Sequence, residues 1–231
     1  MAKKWIHRDL TTEVKDILTH AEAYHAYYYE SERFTGPSLH FHCRAIEVQQ
    51  SNWLDALELA YAALASWGMH RMGTTGSKMQ SYEKFNSTIR SVQEEIEKLR
   101  QKAPHELTPS DWSSLEKVFK TIDVMESGTK LIGNSKAMAH ILPRLVAPID
   151  REYTLNYLFG NNMFQNNLEQ EWGLMHKILS DFYYPVASDG SFQRLTKRWM
   201  ADKNCPWDTS VLKIIDNLVI GAERTHRDGV R

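Results

Sequence analysis

Residues 108–122 read Thr-Pro-Ser-Asp-Trp-Ser-Ser-Leu-Glu-Lys-Val-Phe-Lys-Thr-Ile. From Leu115 to Ile122 the apolar residues recur at positions i, i+3, i+4 and i+7, which is the spacing of one face of an α-helix. A helix start precedes them, because Thr108 or Ser110 can cap the first turn and Pro109 fits within that turn. The stretch therefore predicts an amphipathic helix that begins at residue 109.

The same helical spacing continues in both directions along the chain, and no run of alternating apolar and polar residues lies between turn signals. The sequence therefore predicts an all-α fold with few or no strands. Helices are expected near residues 9–32, 38–49, 51–67, 77–102, 109–125, 134–142, 151–159, 167–183, 190–200 and 208–224. We expect one globular domain over 1–231, a two-lobed helical bundle whose lobes are 1–102 and 109–231.

Composition excludes several classes of protein. The chain has 231 residues, of which 42% are hydrophobic and 25% charged, with a formal net charge of −1. This balance is typical of a globular protein and excludes a strongly basic nucleic-acid-binding tail. Two cysteines, Cys43 and Cys205, are too few for a disulfide framework, a four-cysteine zinc site or a four-cysteine iron–sulfur cluster.

Nothing in the sequence predicts a membrane or nucleotide-hydrolysing protein. The most apolar run, residues 54–69, is interrupted by Asp55 and Glu58, and no Gly-rich phosphate loop is present. No apolar signal segment follows Met1, so a reducing, cytoplasmic location is expected. No membrane partner is expected, and the sequence gives no indication of oligomeric state.

Residues 131–154 contain the densest group of unusual residues and read Leu-Ile-Gly-Asn-Ser-Lys-Ala-Met-Ala-His-Ile-Leu-Pro-Arg-Leu-Val-Ala-Pro-Ile-Asp-Arg-Glu-Tyr-Thr. The pair Gly133-Asn134 predicts a tight turn before a short helix. Gly133, Asn134, Ser135 and Lys136 would then present backbone N–H groups and an ammonium group at the helix start. Such an arrangement suits an anion, and in particular a phosphate.

Asp150 closes this segment at the start of the next helix, after the rigid, apolar approach Pro148-Ile149. Two interpretations of Asp150 are compatible, since a helix N-cap and a catalytic carboxylate can be the same residue. For Lys136 the alternative to a functional role is a solvated surface lysine. For His140 the alternative to a general base is a partly buried, hydrogen-bonded histidine.

The segment resembles the helix-hairpin-helix DNA glycosylase superfamily. The residues that carry the resemblance are Gly133, Lys136, Ala139 and the run Pro148-Ile149-Asp150. The resemblance implies an all-α fold with the active site between two helical lobes. It also implies a hairpin that grips DNA phosphates and an aspartate, here Asp150, beside the sugar of a flipped nucleotide. Anti-phage glycosylases that remove modified viral bases are one group of relatives that it suggests.

The resemblance implies hydrolysis of an N-glycosidic bond in double-stranded DNA, with one nucleotide flipped out of the stack. Positive charge develops on C1′ and the ring oxygen, and a carboxylate can stabilise this charge and activate water. A bifunctional enzyme would add Lys136 as a Schiff-base nucleophile. We expect a monofunctional enzyme without a cofactor. The alternative is a non-catalytic helical module that binds nucleic acid or protein.

Two further groups of residues are candidates for contact with DNA. Trp67, His70 and Arg71 crowd into a turn where they could stack on and hydrogen-bond a base, and Tyr153 completes the predicted pocket. The alternative is a helix end with a C-cap glycine over a buried tryptophan. A short basic helix surface suits phosphate contacts, and the alternative is a solvated face. Its residues are Arg194, Lys197 and Arg198.

The histidines do not predict a metal site. His40 and His42 are two residues apart, so they do not face one site on a helix, and His20 and His25 have no carboxylate pattern beside them in the sequence. No metal ligand set is therefore predicted.

Overall fold

The computed structural model describes residues 8–32, 35–73, 76–164 and 167–229. The described residues are mostly helical, so the predicted all-α fold is confirmed. Strand structure in these ranges is limited to a two-residue antiparallel pair, β1 (Met72–Gly73) with β2 (Gly76–Ser77), and an isolated bridge between Met79 and Met125. Among the described helices, none combines the length and the apolarity needed to cross a membrane.

The α-helices have bounds close to the predicted ones. They are α1 (Thr11–Ser31), α2 (Pro37–Ser51), α3 (Ala56–Leu64), α4 (Tyr82–Arg90), α5 (Gln93–Arg100), α6 (Pro109–Thr121), α7 (Leu131–Ile141), α8 (Asn156–Phe159), α9 (Leu168–Ile178), α10 (Tyr184–Ser188), α11 (Gly190–Ala201) and α12 (Val211–Asp228). Wide π-helical turns occupy Ala65–Met69, Arg151–Leu155 and Leu179–Tyr183, and a 3₁₀ turn occupies Pro104–Glu106.

The single helix predicted over 77–102 is wrong. The chain from Lys78 to Gln80 is extended and hydrogen-bonds with the 124–126 segment, with the Gln80 N–H donating to the Val124 carbonyl at 2.9 Å. α4 then starts behind the Ser81 cap, and a break at Val92 separates it from α5. Pairing with a distant segment overrides the local helical pattern at this point.

The chain forms two compact units. The first unit comprises 1–33, 149–165 and 173–231, and the second comprises 34–148 and 166–172. The division predicted between 102 and 109 falls inside the second unit, where α5 and α6 pack against each other. The local sequence pattern does not predict this division, because α1 packs in one unit with helices from the far end of the sequence, such as α12.

The first unit is built on the packing of α1 along α12. Gly221 lets the two helices approach closely, since a Cβ at that position would lie 2.2 Å from the Tyr24 carbonyl oxygen. Ile17, Leu218 and Ala222 are fully or almost fully buried. Only glycine permits this contact. The packing of α1 against α12, and not helix propensity, therefore requires glycine at position 221.

The second unit contains α2 to α7, with α2 packed on α3 and α4 to α6 around a buried aromatic and aliphatic core. The Arg100 side chain joins two helix ends in this unit. Its Nη1 donates to the Ile141 carbonyl at 2.8 Å and its Nη2 to the Gln49 carbonyl at 2.7 Å. The carbonyl groups in the last turn of a helix have no partner within that helix. The Arg100 guanidinium group provides the missing hydrogen bonds at the ends of α2 and α7.

Candidate functional site

Asp150 is a half-buried helix cap in the first unit. It follows Ile149, which is fully buried, and its Oδ1 accepts from the Glu152 N–H at 2.8 Å. The Asp150 N–H in turn donates to Thr154 Oγ1 at 3.0 Å. The predicted capping role of Asp150 is therefore confirmed. The bond from the Glu152 N–H orients the carboxylate, and the bond to Thr154 fixes the backbone at this position.

A buried hydroxyl lies near Asp150. Tyr183 is fully buried, and burial, followed by the charges of Asp216 and Asp150, raises its pKa well above the usual range. Its hydroxyl faces Thr154 but makes no hydrogen bond of good geometry among the described residues. The first unit thus contains, near Asp150, the neutral Tyr183 side chain, whose hydroxyl does not make all the hydrogen bonds that it could.

Arginine side chains surround the helical turn that Asp150 caps. The Arg224 and Arg227 guanidinium groups each lie 5.4 Å from the centroid of the Tyr153 ring, so this predicted pocket residue is engaged by cations. Arg227 is also paired with Glu152 at 2.6 Å. Arg151 is exposed, stacks on Phe164 at 4.5 Å and has no ion pair among the described residues. Arg151 is therefore the arginine best placed for a phosphate, and the sequence interpretation missed it.

Lys136 and Trp67 belong to a cluster in the second unit. The Lys136 ammonium group lies 6.0 Å from the centroid of the Trp67 ring. The same ring lies 5.1 Å from His140 and 5.5 Å from His42. The structure thus brings together two of the predicted site residues, while Asp150 belongs to the other unit.

The two histidines of this cluster are buried and hydrogen-bonded to each other. His140 Nδ1 lies 2.9 Å from the Lys136 carbonyl oxygen, which can only accept, so Nδ1 carries the hydrogen. In a neutral His140 ring, Nε2 then accepts from His42 Nδ1 at 3.1 Å. The interpretation of His140 as a hydrogen-bonded histidine is confirmed, and its 2% exposure is a deeper burial than the partial burial that was expected.

The predicted phosphate-binding turn at Gly133, Asn134 and Ser135 is wrong. All three residues are buried inside α7. The Asn134 Nδ2 donates to the carbonyls of Phe119 and Ile122, at 2.7 Å each, so the amide holds α6 against α7. Burial and packing override the local turn preference of a Gly-Asn pair.

The true start of α7 is occupied by a carboxylate. Glu171, which is 2% exposed, accepts from the N–H groups of Lys130 at 2.7 Å and Leu131 at 2.6 Å. A Cβ at Gly133 would lie 2.9 Å from Met125 Cγ. The first turn of α7 therefore packs against protein and already holds a negative charge, so it does not offer the predicted phosphate site.

The remaining predicted contacts lie on the surface. His70 and Arg71 are exposed beyond Gly68, whose φ of 78° ends the turn that contains Trp67. This turn leads to the short β1–β2 pair, and residues 74–75 lie outside the described residues. His70 and Arg71 are thus accessible to a partner, whereas Trp67 is half-buried.

The predicted basic residues of α11 lie on its surface. Arg194, Lys197 and Arg198 are all exposed. Arg198 pairs with Glu22 at 2.6 Å, while Arg194 and Lys197 form no ion pair with any described residue. Two of the three predicted cations are therefore available for phosphate contacts.

A second polar cluster, which the sequence interpretation missed, lies in the first unit. His25 Nε2 is 2.7 Å from Asp208 Oδ2, and Asn217 Nδ2 donates to Asp208 Oδ1 at 2.8 Å. His25 stacks on Trp199 with ring centroids 4.0 Å apart and planes 6° from parallel. Burial, then the charges of Asp208 and Asp202, raise the pKa of the Cys205 thiol to about 11. Each residue looks ordinary in its own stretch of sequence, because His25 and Asp208 are 183 positions apart.

Comparisons of the chain with protein-family models, with curated proteins and with solved structures found no match.

Proposed function

We propose that the chain is a DNA glycosylase that hydrolyses the N-glycosidic bond of a damaged or modified base, with Asp150 as its catalytic carboxylate. The observation that carries this proposal is the half-buried Asp150 carboxylate, held at a helix start by the hydrogen bond that it accepts from the Glu152 N–H. It closes the segment 131–154, whose sequence resembles the helix-hairpin-helix glycosylases. A fixed carboxylate stabilises a developing cation without the cost of reorganising at the moment of reaction.

In the proposed reaction the bond between C1′ and the base nitrogen breaks, and its electron pair leaves with the base. Asp150 stabilises the positive charge that develops on C1′ and the ring oxygen. The oxygen of a water molecule then bonds to C1′, and Asp150 accepts the proton that this water loses. The base takes a proton from solvent, so the products are a free base and an abasic sugar.

DNA contact is proposed through exposed cations of the first unit. Arg151 directly follows Asp150 and is not ion-paired within the described residues, so it can hold a phosphate beside the reacting sugar. Arg194 and Lys197 offer two further phosphate contacts. His70 and Arg71 are exposed in the second unit and are proposed as DNA contacts of that unit alone.

Lys136 is proposed as a DNA contact, not as a nucleophile. It lies midway along α7 and not at the tip of a hairpin. Its half-buried ammonium group is directed at the Trp67 ring. Water is therefore the proposed nucleophile, and the enzyme is monofunctional.

The decisive experiment measures abasic sites in a panel of duplexes, each carrying one damaged or modified base, after incubation with the protein. We expect base release from at least one duplex by the unchanged chain and none by Asp150→Asn. Lys136→Ala should weaken DNA binding but still release base, and borohydride should trap no covalent adduct.

Three other outcomes would contradict the proposed mechanism, the proposed activity or the proposed site. A trapped adduct that disappears in Lys136→Ala would establish a lyase mechanism instead. DNA binding without abasic sites on any duplex would favour the non-catalytic binding module, in which Asp150 serves only as a cap. Full base release by Asp150→Asn would refute the assignment of the site.

A further inference from the structure

We infer that His25, Cys205 and Asp208 form a binding site for a divalent metal ion of the zinc type. The three side chains offer an imidazole nitrogen, a sulfur and a carboxylate oxygen, and these atoms all lie within 4.8 Å of one another. All three residues belong to the first unit. The inference is independent of the proposed glycosylase activity.

The distances suit a small metal ion. Zinc bonds of about 2.0–2.3 Å in tetrahedral geometry separate the ligand atoms by roughly 3.3–3.6 Å. His25 Nε2 and Asp208 Oδ2 are 2.7 Å apart in the structure, and Cys205 Sγ lies within 4.8 Å of both. Side-chain shifts of about 1 Å bring the three atoms to the required spacing. A metal ion would replace the proton that now joins His25 to Asp208.

The groups around the cluster orient its ligands. Trp199 stacks in parallel on the His25 ring and fixes its plane. Asn217 holds Asp208 Oδ1 at 2.8 Å and so leaves Oδ2 directed at His25. The Tyr29 hydroxyl lies near Cys205 and Asp208 and accepts from the Trp207 N–H at 3.2 Å. Such outer partners set ligand orientation in metal sites and tune metal affinity.

The local charge favours a cation. The Asp208 side chain is fully buried, and the ammonium group of Lys213 is engaged by Asp216, at 2.8 Å, and by Asn217 instead of by Asp208. A buried carboxylate without a lysine or arginine partner in the described residues is costly unless another cation balances it.

The ligand types select the metal. A mixed set of nitrogen, sulfur and oxygen suits Zn²⁺ or Co²⁺, whereas Mg²⁺ and Ca²⁺ prefer oxygen ligands alone. Three protein ligands leave a fourth tetrahedral position, and Cys205 is only half-buried, so water can reach it. The site would link α1 to the segment before α12.

The test uses Co²⁺ as the probe, with the full chain first stripped of metal by a chelator. We expect one equivalent of Co²⁺ to produce the near-ultraviolet charge-transfer absorption of a cobalt–thiolate bond, and Zn²⁺ to displace it. Mg²⁺ and Ca²⁺ should not displace it. Cys205→Ser should abolish the absorption and weaken metal binding by at least the tenfold to hundredfold that loss of an outer partner costs.

The chain offers a matched control, since Cys43→Ser removes its other cysteine, on α2 in the second unit. That variant should keep the absorption. Zn²⁺ should also raise the melting temperature of the unchanged chain and of Cys43→Ser but not of Cys205→Ser, because a ligand that binds only the folded state stabilises it. Absence of the absorption in the unchanged chain, or its persistence in Cys205→Ser, would overturn the inference.

Discussion

At Asp150 one carboxylate caps a helix and is also the proposed catalytic group, so substitution can separate the two roles. Asp150→Asn keeps an oxygen for the Glu152 N–H, and its free energy of unfolding should change little. Its rate of base release should fall by about a hundredfold or more. Asp150→Ala should lose the activity and also about 0.5–2 kcal/mol of stability. Chemical denaturation and the abasic-site assay measure the two effects.

Asp189 provides the matched control, because it caps α11 in the same unit by accepting from Ser191 and Phe192 at 2.9 Å each. Asp189→Ala should lose a similar amount of stability and keep the rate of base release. If Asp189→Ala also lost the activity, loss of a cap alone would explain the effect of Asp150→Ala.

Individual residues show how much of the candidate site could be predicted from the sequence. The cap at Asp150 depends on the next few residues, so the local pattern was sufficient. The Gly133-Asn134 pair predicts a tight turn, yet the Asn134 amide is buried against α6, and no local pattern reveals that contact. The contact between His25 and Asp208 joins distant parts of the chain and was missed for the same reason.

At the scale of elements, the packing of α7 makes Gly133 sensitive to substitution. A Cβ there would lie 2.9 Å from Met125 Cγ and 3.1 Å from Val124 Cβ. Overpacking costs about 1–3 kcal/mol, which exceeds the gain of about 1 kcal/mol in helix propensity. We expect Gly133→Ala to lower the free energy of unfolding by about 1 kcal/mol. Gly173→Ala in α9, where nothing lies within 4 Å, should raise it by about 0.5–1 kcal/mol. Equal gains in both variants would contradict this packing.

The start of α6 makes a pH-dependent contribution to the free energy of unfolding. Hydrogen bonds from the backbone and side chain of Thr108 hold the pKa of Asp111 below its ordinary value of 3.8. Because the folded pKa is the lower one, this stabilisation is present above the unfolded value and is lost as the pH falls through the folded pKa. Asp111→Asn should therefore be less stable than the unchanged chain at neutral pH, and the difference should shrink below about pH 4. Urea titrations at several pH values measure it, and a constant difference would exclude this origin.

The helices themselves were largely predictable, because their apolar stripes repeat over several turns. The Leu115 to Ile122 stripe and the Thr108 start predicted α6 correctly, and the capping box of Thr108 with Asp111 is present. The break at Val92 was missed, since the apolar spacing continues through it.

At the scale of the whole molecule, the close approach of α1 and α12 should control the stability of the first unit. Gly221→Ala would place a Cβ 2.2 Å from the Tyr24 carbonyl oxygen, so the helices must separate. We expect a loss of about 3 kcal/mol or more, since backbone cannot yield as a side chain can. Hydrogen exchange should show faster exchange concentrated in α1 and α12. Unchanged exchange there would show that the helices are not in close contact.

DNA binding should be salt-dependent and limited to a few phosphates, given a formal net charge of −1. Arg194→Ala and Lys197→Ala should each reduce the slope of log affinity against log salt by about 1. Arg198→Ala should change the slope less, because its guanidinium group is paired with Glu22 at 2.6 Å. Affinities for a short duplex at several salt concentrations provide the measurement. Equal effects of all three variants would show that the pair with Glu22 does not persist in solution.

The division into units could not be predicted from sequence, although the all-α class could. The pattern around 101–109 has the Pro-containing composition of a linker, but α5 and α6 pack together across it. Which distant helices pair depends on the shape of their faces, such as the gap at Gly221, and a single sequence does not reveal such complementarity.

The pairing of α1 with α12 also has a consequence for the chain during its synthesis on the ribosome. About 180 residues separate the end of α1 from the start of α12, so at about 5–20 residues per second α1 waits roughly 10–40 s for its partner. All of the second unit, residues 34–148 and 166–172, is translated during this interval. Meanwhile the face of α1 that includes Ile17, Ala21 and Tyr28 has no helix to cover it. The nascent chain therefore exposes this apolar face of α1 until α12 has been synthesised, and a chaperone can shield the face during that interval.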